Sequence, residues 1–203
     1  MVKDKAKEVQ TIETVKLSEI IKEPKKESKE KTFVKAHLHD DTVLTEDSDP
    51  ARELYALSRF GGIHQKKVEL SFIESLYLLE KEKIKIYSGK KIVTLEEFLK
   101  KAQKKEKNFF TRYKVFKDMR ERGYIVKTAL KFGADFRVYD RGVKPGEDHA
   151  KWVLYPVNET DAMTWYDFAA KNRVAHSTKK RLLIGIADSE GDVTYYEIKW
   201  TRP

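Results

Sequence analysis

The run Asp135-Phe136-Arg137-Val138-Tyr139-Asp140-Arg141-Gly142 alternates like a β-strand, putting Phe136 and Val138 on one face and Arg137 and Tyr139 on the other. Tyr139 then ends a strand on a polar, cationic face, just before a glycine-containing loop. His149 follows the loop Val143-Lys144-Pro145-Gly146-Glu147-Asp148 and opens the next strand. If the two strands pair as neighbours, that loop brings His149 back towards Tyr139. Further on, Arg173-Val174-Ala175-His176-Ser177-Thr178-Lys179-Lys180-Arg181 gathers five basic or titratable side chains into nine residues, ahead of an apolar strand. Singly, these are a surface tyrosine, a solvated histidine and a basic flank to a core strand. Together they supply a base, an acid and a fixed cation. Attack of a ribose 2′-hydroxyl on its adjacent phosphate needs those three: one group takes the 2′-proton, another protonates the departing 5′-oxygen, and a cation stabilises the phosphorane-like transition state. Because the nucleophile already lies in the substrate, this chemistry needs no metal and no cofactor.

The bulk composition is compatible with such a polyanionic substrate. Lys and Arg number 42 against 33 Asp and Glu, a net charge of +9, and a cationic surface gains affinity for phosphates by releasing their counterions. Charged residues make up 37% of the chain, above the usual globular share, which points to charged flexible segments or to dense ion pairing. The absence of cysteine removes disulfides, thiolate zinc sites and cysteine nucleophiles together. No stretch approaches the ~20 apolar residues of a membrane span, and Met1 to Lys7 lacks the apolar region of a signal peptide. A soluble, cytoplasmic protein without membrane contact is expected.

The elements that must position these groups fall into three regions. Residues 1–45 read as a flexible charged arm, because Lys22 to Lys31 mixes both signs of charge with Pro24 and nothing to bury. Within the arm, Thr11 to Ile21 has amphipathic spacing suited to a short helix on docking. Residues 46–107 read as a small mixed α/β domain. There Ser71 with Glu74, and Thr94 with Glu97, have capping-box spacing; Ile84, Ile86 and Tyr87 suggest a strand, and Ser88-Gly89 a turn. Lys100 to Lys107 looks like a solvated helix end and a boundary. Residues 108–203 read as the catalytic domain. A helix over Phe109 to Arg122 stops at Gly123, and strands follow at Tyr124 to Leu130, Phe136 to Asp140 and His149 to Tyr155. A short helix begins at Thr164, and two strands, Arg181 to Ala187 and Val193 to Trp200, flank the hairpin Asp188-Ser189-Glu190-Gly191-Asp192. The expected class is α+β.

The stretch Arg122-Gly123-Tyr124-Ile125-Val126-Lys127-Thr128-Ala129-Leu130-Lys131-Phe132-Gly133-Ala134-Asp135-Phe136-Arg137-Val138-Tyr139 resembles the signature of the archaeal tRNA-intron (tRNA-splicing) endonucleases. So do His149, Arg173 to Ser177 with Lys180, and the ending Gly191-Asp192-Val193-Thr194-Tyr195-Tyr196. The resemblance runs from about Glu69 to Pro203. It implies a restriction-endonuclease-like α/β/α catalytic domain in which Tyr139 is the general base, His149 the general acid and Lys180 the transition-state cation, with Lys179 as its adjacent rival. It implies cleavage of precursor tRNA at a bulge–helix–bulge, leaving a 2′,3′-cyclic phosphate and a 5′-hydroxyl. Arg173 would stack on a flipped-out base, with Lys179 and Arg137 as further RNA contacts and Lys199 or Arg202 as candidates for a second stacking position. Asp188, Glu190 and Asp192 would form an acidic loop seated in a basic groove of a neighbouring subunit, and Val193 to Trp200 would help form a dimer. A chain of this length implies a tetramer, either of four copies or with a non-catalytic partner chain.

Two other functions fit parts of this pattern. A non-catalytic RNA-binding subunit could share the scaffold but need not keep Tyr139, His149 and Lys180 together. A metal-dependent nuclease needs an Asp and an acidic-x-Lys pair on adjacent strands, and Asp148 to Lys151 is one residue too long. His37-Leu38-His39-Asp40-Asp41 has the alternation of a divalent-metal site if it forms a strand.

Overall fold

The computed structural model describes residues 33–129, 133–146 and 148–201. The amphipathic segment Thr11 to Ile21 and Arg202 lie outside them.

The first half is a sheet with three helices. β1 (Val34–Leu38) and β2 (Val43–Thr45) form a hairpin, followed by α1 (Asp49–Ala56), β3 (Gly62–His64) and β4 (Lys67–Leu70). Then come α2 (Phe72–Glu80), β5 (Ile84–Ser88), β6 (Lys91–Ile92) and α3 (Leu95–Lys105). The strand order is β3-β4-β2-β1-β5-β6, with β1 and β5 parallel and the other pairs antiparallel. Both expected capping boxes form: Ser71 and Glu74 at α2, Thr94 and Glu97 at α3 exchange side-chain and backbone hydrogen bonds.

The arm expected over 1–45 is corrected at its end, since Val34–Leu38 and Val43–Thr45 are strands. Val34, Ala36, Val43 and Thr45 alternate inward and are buried against Ile84 and Ile86 of β5 and Val68 and Leu70 of β4. Those partners are distant in sequence, so the segment's own charge obscures its role.

The second half is a five-stranded mixed sheet between two helices. α4 (Phe109–Glu121) precedes β7 (Ile125–Thr128), β8 (Phe136–Tyr139) and β9 (Trp152–Asn158). α5 (Trp165–Ser177), β10 (Arg181–Ala187) and β11 (Val193–Ile198) complete it. The order is β11-β10-β9-β8-β7, with only β9 and β10 parallel. α4 covers one face, where Phe136, Val138, Leu154 and Leu183 are buried; α5 covers the other, over Val153, Tyr155, Leu182 and Ile184. Gly185 permits the close approach of α4: a Cβ there would come within 2.8 Å of Val115.

Three expectations shift here. β9 starts at Trp152 rather than at His149 and continues through Pro156. This proline lies beyond the last β8 pairing, Phe136 with Leu154, where one side of β9 is an edge. α5 extends to Ser177, so Arg173 and His176 belong to its last turns instead of to a strand entry. The core does not stop at the expected boundary: α2 packs on α4, and one apolar cluster runs from Val34 through Phe72, Leu76 and Phe116 to Phe136 and Leu183.

Candidate active site

Strand register supplies the frame of the site. Val138 of β8 pairs with Trp152 of β9, which pairs with Arg181 of β10. The backbone N–H of Lys151 donates to the Val138 carbonyl and that of Arg181 to the Lys151 carbonyl, both at 2.9 Å. The next row outward is therefore Tyr139, Lys151 and Lys180, on the face that carries α5. Tyr139 and Lys180 stand two strand spacings apart, roughly 10 Å between backbones. His149 lies in the loop two residues before Lys151, at the same end of the sheet.

Each group is held differently. Tyr139 is buried, 5% exposed, with the Arg137 guanidinium 5.9 Å from its ring centre. His149 is exposed, and its backbone N–H donates to the Asp148 carboxylate at 2.6 Å. Lys180 is half-buried, and its ammonium donates to the Thr178 carbonyl at 2.9 Å.

Lys180 owes its place to the end of α5. The backbone N–H of Lys180 bonds to the Ala175 carbonyl and that of Lys179 to the His176 carbonyl, with Lys179 left-handed at φ 54°. This is a Schellman closure, usually completed by glycine. It turns the chain straight into β10 and separates the adjacent lysines: Lys179 is exposed while Lys180 sits in the row.

The neighbouring cations are matched by carboxylates. Lys151 pairs with Asp140 at 2.6 Å, which holds that carboxyl below its ordinary range. Glu197 accepts from Trp152 Nε1 and from Arg181, and it too is held down, chiefly by the tryptophan bond.

Arg173 and His176 line a cavity of about 550 Å³ with Phe168, Asn172 and Trp200. The Trp200 ring lies 4.6 Å from that of His176. Lys180 and Lys199 share an adjoining pocket of about 230 Å³. Sequence reasoning placed Trp200 only at the end of a dimer-forming strand and weighed Lys151 only for a metal-dependent nuclease; the row position of Lys151 emerges only from the register.

Arg137 lies apart from Arg173. It lines a cleft of about 810 Å³ between the two halves, with Arg59, Arg112 and Lys127. The Nε atoms of Arg59 and Arg137 are buried without a hydrogen-bond partner among the described residues. Burial lowers the Lys127 ammonium from its ordinary range.

The acidic hairpin is at the opposite end of β10, roughly 26 Å along the chain from Lys180. The Asp188 carboxylate accepts from the N–H groups of Gly191 and Asp192 at 2.8 and 2.9 Å, so it shapes the turn. Glu190 and Asp192 are exposed.

The His37–Asp41 alternation forms no metal site. β1 ends at Leu38, His37 pairs with Glu46, and Asp41 pairs with Lys105. Among the described residues no three acidic or histidine side chains converge. Nor is any helix among them long and apolar enough to cross a membrane.

Comparison with known proteins accounts for both halves. A family model described as the tRNA intron endonuclease N-terminal domain matches residues 34–99, and one described as the catalytic C-terminal domain of the same endonuclease matches residues 109–195. The tRNA-splicing endonuclease of Nanoarchaeum equitans is 48% identical over 141 residues, covering 66% of this chain and 90% of that protein. That of Methanothermobacter thermautotrophicus is 38% identical over 170 residues, covering 84% and 99%. For the Pyrococcus furiosus enzyme the identity is 37% over 172 residues, covering 85% and 99%. With both domains matched in order and nearly the full length of such relatives spanned, the chain belongs to the tRNA intron endonuclease family.

Proposed function

We propose that the protein is a tRNA-splicing endonuclease that cuts precursor tRNA at a bulge–helix–bulge, without a metal, by attack of a ribose 2′-hydroxyl on the adjacent phosphate. Tyr139 takes the 2′-proton, His149 protonates the departing 5′-oxygen, and Lys180 stabilises the charge that builds on the phosphate. The products are a 2′,3′-cyclic phosphate and a 5′-hydroxyl end. The observation that carries this reading is the row of Tyr139, Lys151 and Lys180 across β8, β9 and β10, with His149 in the loop just before it.

The surroundings favour the same substrate. Arg173 beside Trp200 offers a guanidinium and a ring for an unstacked base, and exposed Lys179 adds charge for the backbone. The α/β/α layering of the second half suits a restriction-endonuclease-like domain. The basic cleft between the halves suits the exposed acids Glu190 and Asp192 of a neighbouring copy, which favours a tetramer of this chain, alone or with a non-catalytic partner.

The test is cleavage of a bulge–helix–bulge RNA in EDTA by the purified chain, beside His149→Ala. Metal-free cutting that the substitution slows at least about a hundredfold supports the mechanism. Cutting that requires Mg²⁺, or ignores His149, overturns it. Silence of the chain alone, relieved by a second subunit, assigns it to a mixed complex.

A further inference from the structure

We infer that an apolar groove on the first half of the molecule is the seat of the chain's own segment Thr11–Ile21. The groove, about 730 Å³, is walled by Val34, Leu54, Leu57, Phe60, Tyr77 and Leu78. Leu57, at the end of α1, is 75% exposed, the most exposed aliphatic side chain of the described residues. Arg120 also lines the groove: its guanidinium lies 3.9 Å from the centre of the Phe60 ring and donates to the Ser58 carbonyl at 2.7 Å. An apolar depression beside an exposed leucine gains stability when a segment of matching chemistry covers it.

Position, composition and charge name that segment. The described chain begins at Phe33, and the next residue, Val34, is itself a wall of the groove. The end of the described chain therefore lies at the groove's edge. Within the arm, Thr11 to Ile21 carries five large aliphatic residues, Ile12, Val15, Leu17, Ile20 and Ile21, whereas Lys22 to Thr32 carries none. This is the composition of an anchor on a tether. Eleven residues span at most roughly 36–40 Å, ample for a return to a site beside the tether's own end. Glu13 and Glu19 outnumber Lys16 in the segment, and the groove's lining carries Lys81, Lys83 and Arg120 against Glu53, with Lys81 paired to Glu121.

The arm is also additional to the shared fold. The N-terminal family match begins at residue 34, and 84% of this chain suffices to cover 99% of the Methanothermobacter thermautotrophicus relative. Docking would thus add to the matched scaffold, tightening the region where Arg120 ties the second half to Ser58 and Phe60.

The chain contains no cysteine, so paired substitutions can be read without background. The full chain carrying Leu17→Cys and Leu57→Cys is oxidised at low concentration, beside the same pair in a chain that also carries Ile12→Glu and Ile20→Glu, which keeps the tether length and removes the apolar anchor. Docking predicts an intramolecular disulfide that forms at least about tenfold faster without the two glutamates, because a seated segment exceeds the effective concentration of a loose tether. Equal rates for the two chains overturn the proposal. Disulfides only between chains also overturn it, and assign the groove to a segment of a second copy. Thermal unfolding of Leu17→Glu, Leu57→Glu and the double variant supplies an independent reading, since exposed Leu57 tolerates the change in a folded protein. Docking predicts that the double variant loses no more Tm than the larger single loss; additive shifts overturn it.

Discussion

Lys127 of β7 reaches across the junction between the two halves of the molecule and donates to the backbone carbonyl of Gly61, with the buried Glu74 carboxylate 3.8 Å away. Gly61 can present that carbonyl because it is left-handed, at φ 62°, and packs so closely on β4 that a Cβ would meet the Glu69 carbonyl at 2.3 Å. Glu74 in turn accepts from the N–H of Gly61 at 2.8 Å and from both the N–H and hydroxyl of Ser71. The helix cap of α2 and the strand next to the one bearing Tyr139 are thus joined through one buried network.

Lys127→Met removes a charged donor from this network and is expected to lower stability by about 1–3 kcal/mol, read by urea unfolding. Its pH dependence has a definite sign. Burial holds the Lys127 ammonium below its ordinary value of 10.5, so between the depressed value and 10.5 the unfolded chain binds more protons than the folded one. Stability from this group therefore rises with pH across that window. The margin of wild type over Lys127→Met should widen as pH climbs through the window and level off above it.

Arg112 and Asp135 form a second test. Arg112 Nε lies 2.7 Å from the Asp135 carboxylate and its guanidinium also pairs with Glu106. Burial nevertheless outweighs the arginine and raises the Asp135 carboxyl above its ordinary range. Removing the cation should then cost more than neutralising the acid. Arg112→Met is expected to lose about 2–3 kcal/mol, after allowance for the partial exposure of Asp135, and Asp135→Asn less than about 1 kcal/mol. Calorimetric Tm values at neutral pH would distinguish them.

At the candidate site, Tyr139→Phe preserves the buried ring and Lys180→Met the aliphatic stem. Each is expected to slow single-turnover RNA cleavage in EDTA by about 10²–10⁴-fold while leaving Tm nearly unchanged. A loss confined to RNA affinity, with the chemical step intact, would remove the residue from the mechanism.

The turn at Lys179 separates the two lysines. A non-glycine residue in the left-handed region costs about 1–2 kcal/mol, so Lys179→Gly should raise stability by up to about 1 kcal/mol. It should leave the cleavage step intact and weaken RNA binding slightly, with a shallower salt dependence. A large loss of rate would make Lys179, rather than Lys180, the working cation.

Local signals were legible where the determining contacts are close in sequence. Ser71–Glu74 and Thr94–Glu97 announce α2 and α3 because a capping box is complete within four residues, and β10 falls on its expected bounds. Val34–Leu38 was missed because what makes it a strand is its parallel pairing with Ile84–Ser88, some fifty residues away. At the site, residue types suggested base, acid and cation. The identity of the row, with Lys151 in it, depends on two long-range registers that no spacing encodes. The charge on Arg137 gave no hint that it would turn into the cleft between the halves.

The apolar cluster that crosses the junction has a consequence for how the molecule lives and dies. Phe72 and Leu76 from one half and Phe116 and Phe136 from the other belong to one continuous interior, and Glu80 accepts hydrogen bonds from Tyr113 and Lys117 across the seam. A shared interior melts as a unit. A protease nick near Asn108 would leave two fragments still clasped together, and neither gene half would encode a part that survives alone.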